Sequence, residues 1–250
     1  MRAILDSSLA LVTQPQVSRT KQKLTLDDKV KLLQRTLGKL APCGTGFGLD
    51  SEVYLLNQDT APVVVKVYHH LEDIVEDQSF LYHKTPTVFE ILQHYNSDTL
   101  LAKSFAESMP NPCDSSIDID DQKYRLQFQI LPQGTVDICR GRIVYSIGQP
   151  HIQGQNFCDM QRNSGPGIIN VSSSGYYPIA ITKKKLDEVQ VYLTRFSKEI
   201  NRQLGTKFWL SAGNAIPRID TENKILHIVV TDLANDLFTQ YVKNQYREYF

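Results

Sequence analysis

The sequence predicts an α+β protein, and three observations support this fold class. Segments rich in β-branched and aromatic residues, such as 63–68 and 123–131, are typical of strands. Other segments, above all 185–204, repeat their apolar residues at steps of three and four, as amphipathic helices do. The chain has 250 residues, of which 41% are hydrophobic and 22% charged, so it can bury one large core or two small ones.

Charge, cysteine content and hydropathy limit the classes of partner. Lysine plus arginine equals aspartate plus glutamate at 27 each, so no net charge attracts nucleic acid or an acidic membrane, and neither is expected as a partner. No apolar run approaches the roughly 20 residues of a membrane span, and no signal peptide is evident. The four cysteines are far apart and form no C-x-x-C pair, which favours neither a zinc knuckle nor a disulfide framework. We therefore expect a cytoplasmic protein.

The N-terminal extension, residues 1–39, contains a basic amphipathic helix. Its apolar residues recur at helical spacing after Thr25, which is a suitable N-cap; they are Leu26, Val30, Leu33 and Leu37. Seven basic residues lie between positions 19 and 39. Such a helix can bind nucleic acid or a membrane, but a solvated basic face is the commoner outcome and is the one expected.

A glycine-rich segment and a lysine follow this helix. Residues 43–56 and 63–68 are predicted to form strands on either side of a polar turn at 57–62. Gly44, Gly46 and Gly48 would let backbone amides approach phosphate oxygens, and Lys66 on the next strand could then pair with those oxygens. Taken alone, the glycines are weak evidence, because a glycine-rich segment between strands more often forms an ordinary turn.

The remaining elements can be placed in order. A helix is predicted over 87–95 after Pro86, and a strand over 123–131 that ends at Pro132. Residues 141–175 are rich in Gly, Ser, Asn and Gln and are expected to form a long functional loop or a small irregular insertion.

The last part of the chain contains helices around two strands. A helix over 185–204 is closed by Gly205, and strands over 216–220 and 225–230 precede a final helix over 234–249. Lys183, Lys184 and Lys185 oppose the helix dipole, so they either precede that helix or meet an anion.

In this order, the motifs resemble the protein-kinase-like fold, including its small-molecule kinase relatives. Residues 44–53 resemble the glycine-rich loop, and Val64-Val65-Lys66 resembles the V-A-I-K strand. The resemblance implies that Lys66 binds the α- and β-phosphates of ATP. It also implies that Glu90, or failing that Glu76, pairs with Lys66, and that the backbone of Ile130 and Leu131 in a hinge over 129–134 holds adenine.

The resemblance extends into the C-terminal half. Gly213-Asn214 resembles the loop asparagine that binds a second Mg²⁺, and Val230-Thr231-Asp232-Leu233-Ala234 resembles the D-F-G segment. It implies that Asp232 is a Mg²⁺ ligand and, with Lys66, a catalytic residue. The implied architecture is two-lobed, with an antiparallel N-lobe sheet and one helix over 40–134 and a reduced, helical C-lobe over 135–250.

Three departures from the family pattern leave the activity open. The position of the catalytic aspartate, five residues before Asn214, is Trp209. Asn214 and Asp232 are 18 positions apart, which is longer than the usual hairpin of the family, so either the turn carries an insertion or Asn214 is misassigned. Only 18 residues follow Asp232, too few for a full C-lobe. A phosphotransferase acting on an unknown protein or small molecule, a pseudokinase that regulates a partner, and an unrelated α+β binding domain are all compatible with the sequence.

The proposed site residues also have simpler explanations. Asp232 could cap the last helix, Glu90 could be an unpaired surface carboxylate, and Asn214 could occupy a plain turn. The acidic cluster at 114–121 lacks the glycine and closing glutamate of an EF-hand, so a solvated loop is expected there. The six histidines form no recognisable pair of metal ligands, and no G-x-S-x-G hydrolase motif is present.

Overall fold

Two β-sheets and four α-helices make up the described part of the chain, which confirms the α+β class. The computed structural model describes residues 25–47, 51–56, 62–68, 88–131, 134–136, 146–152, 154–163, 168–170, 176–177, 182–206 and 208–233. The chain divides into two units. Unit 1 consists of Met1–Gln93 and Gln133–His151, and unit 2 consists of His94–Pro132 and Ile152–Phe250.

Unit 1 contains helix α1 and a five-stranded antiparallel sheet. The elements are α1 (Leu26–Leu37), β1 (Leu40–Phe47), β2 (Ser51–Leu56), β3 (Val63–Tyr68), β6 (Gly134–Val136) and β7 (Ser146–Pro150). The strand order is β1-β2-β3-β7-β6, and every neighbouring pair is antiparallel. The predicted strands on either side of residues 57–62 are therefore adjacent members of one sheet.

Helix α1 covers one face of this sheet. Its apolar residues Leu26, Val30, Leu33 and Leu37 pack against the side chains of Leu40, Tyr54, Leu56, Val65 and Val67. The predicted N-cap is confirmed, because the Thr25 hydroxyl accepts a hydrogen bond from the Asp28 amide and the Asp28 carboxylate accepts one from the Thr25 amide. Lys31 and Arg35 are exposed, as expected for a solvated basic face, whereas Lys29 is buried.

Unit 2 is built on a six-stranded mixed sheet with order β4-β5-β11-β10-β8-β9. Its strands are β4 (Ser116–Ile119), β5 (Gln122–Ile130), β8 (Ile168–Asn170), β9 (Tyr176–Tyr177), β10 (Ala215–Asp220) and β11 (Ile225–Val230). Its helices are α3 (Phe157–Asn163), α4 (Lys183–Leu204), the part of α2 (Val88–Ser108) from His94 onward, and a short 3₁₀ helix (Ala212–Asn214). Strand β5 runs parallel to β11, and β10 pairs antiparallel with β11.

An aromatic cluster forms the core of unit 2. Phe196 of α4 stacks on Phe128 of β5 with a ring-centroid distance of 4.2 Å. The ring of Phe105 of α2 lies 6.2 Å from that of Phe196, centroid to centroid. Such pairs favour a specific arrangement of helix on sheet beyond the area that they bury. The predicted closure of α4 is confirmed, since Gly205 has a left-handed conformation with φ of 68°.

The acidic cluster belongs to a hairpin. Ile119 pairs with Gln122, so Asp120 and Asp121 form a two-residue turn, and their φ values of 48° and 59° are those of a type I′ turn. Asp114, Asp118, Asp120 and Asp121 are all exposed, as predicted for a solvated loop. Within the described residues no group of three or more His, Cys, Asp or Glu side chains could hold a metal ion.

Several sequence predictions differ from the structure in extent. Helix α2 continues to Ser108, well beyond the predicted end at residue 95. The polar region 141–175 is not simply a loop, because it contributes β7, α3 and β8. The lysines at 183–185 lie inside the first turn of α4, where Lys185 Nζ donates to the carbonyl oxygen of Asp118 at 2.8 Å. The predicted last helix lies outside the described residues.

None of the helices in the described ranges is both long enough and apolar enough to cross a membrane.

Candidate functional site

Lys66 lies on the central strand of the unit 1 sheet. Strand β3 has β2 on one side and β7 on the other, and Lys66 pairs with Val53 and with Ile147. Its neighbours Val65 and Val67 are fully buried against α1. Because side chains alternate along a strand, Lys66 is on the opposite face of the sheet from α1.

The face that carries Lys66 is mostly apolar around the lysine, and it also carries the buried Gln149, which lies on β7 and pairs with Val64. Val64 shares this face by alternation along β3, and Val53 and Leu55 share it across β2. Val64 is buried, and Val53, Leu55 and Lys66 are half-buried. Lys66 thus lies beside a mostly aliphatic part of the sheet.

The glycines lie where strand pairing becomes irregular. Pro42 pairs with Tyr54 and Phe47 with Glu52, so the four residues 43–46 of β1 lie opposite Val53 alone. Gly44 and Gly46 are within this bulged segment, and Gly48 lies outside the described residues. Glycine inside a strand is typical of a bulge or of a place where a ligand approaches the backbone.

Two other predicted site elements are only partly described. Glu90 lies in the first turn of α2, but its side chain is outside the described part of the chain, as is Glu76. Ile130 and Leu131 are in unit 2, where Ile130 pairs with Val230 and the Leu131 amide donates to the Val230 carbonyl at 3.1 Å. The adenine-binding role of these two residues stays a prediction, and it requires the Leu131 amide to change its partner.

Asn214 and Asp232 lie at the open end of one hairpin. Strands β10 and β11 are in register from Ala215↔Val230 to Asp220↔Ile225 and are joined by a four-residue turn. The Asn214 carbonyl accepts from the Thr231 amide at 2.8 Å and from the Thr231 hydroxyl at 3.1 Å. The 18-residue separation is thus the length of a regular hairpin, and Asn214 lies directly beside the residue that precedes Asp232.

Helix α4 holds the loop that leads to Asn214 through two side-chain amides. At its C-terminal end, Asn201 Oδ1 accepts from the Phe208 amide at 2.7 Å and from the Thr206 hydroxyl at 2.9 Å, while Asn201 Nδ2 donates to the Phe208 carbonyl at 2.8 Å. The Ser197 hydroxyl donates to the same carbonyl at 2.6 Å. The first half of the loop is therefore fixed to the helix.

The second half of the loop is fixed in the same way. Gln190 Nε2 donates to the Leu210 carbonyl at 3.0 Å, and Gln190 Oε1 accepts from the Ala212 amide at 2.9 Å. Phe208 and Leu210 are buried, whereas Trp209 between them is 56% exposed. The loop thus presents the Trp209 indole outward at the position where a catalytic aspartate was expected.

Several residues that fix the loop or surround Lys66 were not among the residues predicted from the sequence. Asn201 and Gln190 could not be found from local sequence, because their partners in the loop are 5 to 22 positions away. Val53 and Val64 could have been found, since period-two alternation from Lys66 and strand pairing with β2 already imply a shared face.

Comparison with known proteins gives no family for this chain. No protein-family model matches the sequence. No curated protein matches it either.

Proposed function

We propose that the protein binds ATP with Mg²⁺ through a protein-kinase-like, two-lobed arrangement of motifs. The observation that carries this proposal is Lys66, which lies on the third strand after a bulged, glycine-bearing hairpin and on the sheet face opposite α1. This is the structural context in which the V-A-I-K lysine of the family is expected. In the proposal, Lys66 binds phosphate oxygens, and Gly44, Gly46 and Gly48 let the backbone approach them.

The β10–β11 hairpin supports the metal-binding half of the proposal. Asp232 would be a Mg²⁺ ligand and Asn214 would bind a second Mg²⁺, since Mg²⁺ is usually held by one or two protein carboxylates together with phosphates and water. When bound, Mg²⁺ neutralises charge that develops on the transferred phosphoryl group.

In the proposal, this chain's residues supply positioning and charge stabilisation, and the loop over 205–214 does not supply the general base of the family, which leaves a base from elsewhere in the chain open. The loop over 205–214 contains no Asp, Glu or His, and Trp209 cannot accept a proton. Phosphoryl transfer depends mainly on positioning and electrostatics, so loss of a base, which contributes roughly 10²–10⁴-fold, slows the reaction without preventing it. A slow phosphotransferase is one outcome. Exposed Trp209 favours a second candidate, a nucleotide-binding pseudokinase that contacts a protein partner through this loop.

Thermal unfolding with and without ATP and Mg²⁺ tests the proposal. A ligand at about 100 times its Kd stabilises the native state by about 2.7 kcal/mol, so wild type should show a clear increase in melting temperature. Lys66→Met and Asp232→Asn should each abolish the increase. Lys31→Met and Asp118→Asn, which change exposed residues of the same two units, should retain it. Absence of a shift in wild type, or an unchanged shift in the Lys66 and Asp232 variants, would contradict the proposed site.

A further inference from the structure

Strand β4 lies at one end of the unit 2 sheet. Among the described strands it pairs with β5 alone, so its other edge carries backbone groups that no described strand receives. The backbone groups of an uncovered strand edge are a template for pairing with another chain. How this edge is covered therefore bears on whether the protein associates with itself.

The β4–β5 hairpin shows which backbone groups form this outer edge. In an antiparallel pair, the amide and carbonyl of successive residues point alternately toward the neighbouring strand and away from it. The Leu126 amide donates to the Ser115 carbonyl at 3.0 Å, so the backbone of Ser115 faces β5 and that of Ser116 faces away. The same alternation turns the backbone of Asp118 outward. The outer edge of β4 thus consists of the carbonyl and amide groups of Ser116 and Asp118.

Helix α4 supplies a side-chain donor to each of the two outward carbonyl oxygens. The Tyr192 hydroxyl donates to the Ser116 carbonyl at 2.9 Å, and Lys185 Nζ donates to the Asp118 carbonyl at 2.8 Å. The single proton of the hydroxyl is shared with the Glu188 carboxylate, whose Oε1 lies 3.1 Å away. Lys185 and Tyr192 are seven positions apart and therefore lie on one side of α4.

The Tyr192 hydroxyl is suited to a permanent role as a donor. Burial raises the pKa of this phenol, and its hydrogen bond to Glu188 raises the pKa further. The hydroxyl therefore keeps its proton throughout the neutral range.

We infer that Lys185 and Tyr192 shield the outer edge of β4, and that without them this edge pairs with the β4 edge of a second copy of this chain. Proteins commonly protect strand edges with a covering helix or with charged side chains, especially lysine. Neither residue belongs to the proposed nucleotide site. The inference is therefore independent of the proposed function.

The sequence of β4 favours a second copy as the occupant of the open edge. An antiparallel pairing with Ile117 opposite itself places Ser116 of each copy opposite Asp118 of the other. Each of these two pairs can exchange two backbone hydrogen bonds, which gives four in all. No two like charges are directly opposite in this register, and like charges there would oppose pairing.

Analytical ultracentrifugation of the full chain over a range of concentrations tests the inference. Lys185→Ala combined with Tyr192→Ala should strengthen self-association at least about tenfold over wild type, because four interchain backbone hydrogen bonds can form. The matched control combines Lys184→Ala with Val191→Ala, which replace the exposed residues directly before these two on the same helix. The control should associate as wild type does. Equal self-association of the two double variants would overturn the inference.

A proline in β4 separates edge pairing from general stickiness of the double variant. Asp118→Pro, added to Lys185→Ala and Tyr192→Ala, should return self-association to the wild-type level. Proline offers no amide hydrogen to a second strand, and the amide of residue 118 is not used by β5, so the hairpin should tolerate the change. Stronger association that persists in the triple variant would contradict pairing through this edge.

Variants that keep the bulk of the side chains test the shield even if the alanine variants do not fold. Tyr192→Phe should shift the NMR signal of the Ser116 carbonyl carbon, and Lys185→Met should shift that of Asp118, because each removes one donor. Lys184→Met should shift neither signal. Unchanged carbonyl signals in both test variants would show that α4 does not shield this edge.

Discussion

Trp209 is the residue whose environment bears most directly on the proposed phosphoryl transfer. Its neighbours on both sides are buried and their backbone groups are hydrogen-bonded to α4, so the indole is presented on a fixed loop. Because the side chain is largely exposed, its replacement should not disturb the core. Position 209 can therefore be substituted to test whether a general base in this loop would increase phosphoryl transfer.

A carboxylate at position 209 should increase phosphoryl transfer if the loop has the proposed role. We expect Trp209→Asp to raise ATP turnover above wild type, and above Trp209→Asn, by about tenfold or more, since general-base catalysis contributes roughly 10²–10⁴-fold when well placed. Release of ADP under single-turnover conditions measures this. The asparagine variant has the same shape without a strong base, so equal rates for the two variants would mean that position 209 is not at the acceptor.

At the scale of elements, α4 acts as the support of the loop over 206–214. Asn201 and Gln190 lie about three turns apart on α4 and bind its two halves, and Phe196 between them anchors the helix to the sheet. The conformation of the loop therefore depends on side chains of the helix as well as on the loop's own buried residues Phe208 and Leu210.

Removal of one of these supports should measurably destabilise the protein. Asn201→Ala deletes three hydrogen bonds and leaves the Phe208 amide without its acceptor, so we expect a loss of about 2–4 kcal/mol in the free energy of unfolding of unit 2. Chemical denaturation measures the loss. Gln203→Ala, two residues further along the same helix, removes only an exposed bond to Glu199 and should change stability by less than about 0.5 kcal/mol.

The sequence predicts elements whose signals are local. Apolar spacing correctly located α1 and α4, alternation located β5, β10 and β11, and Thr25 and Gly205 have the expected capping roles. Which strands pair with each other could not be predicted from local sequence. Strand β5 joins β11, about 100 residues away, and β7 joins β3, about 80 residues away, and neither pairing leaves a mark on local composition.

The residues of the candidate site also differ in how far the sequence alone identifies them. Lys66 was singled out because it interrupts an apolar strand, and Asn214 and Asp232 because they resemble the loop asparagine and the D-F-G aspartate of the kinase-like family. Asn201 and Gln190 could not be recognised in the same way, because their contacts with the loop depend on how α4 packs against it.

At the scale of the whole molecule, each unit has a hydrophobic core of its own. Leu33, Val65 and Val67 are fully buried in unit 1, and Phe128 and Phe196 are at most 1% exposed in unit 2. A segment with its own core can unfold as a separate cooperative unit. The single tryptophan of the chain is in unit 2, so its fluorescence reports that unit alone.

We therefore expect core substitutions in the two units to affect tryptophan fluorescence differently during urea denaturation. Phe196→Ala should cost about 3–5 kcal/mol and lower the midpoint of the Trp209 transition by about 1 M or more. Leu33→Ala should cost about 2–5 kcal/mol in unit 1, which would appear as an earlier phase in far-UV circular dichroism while the Trp209 midpoint stays unchanged. Equal displacement of the Trp209 midpoint by both variants would mean that the two cores unfold as one cooperative structure, because destabilisation of either would then be felt by the whole chain.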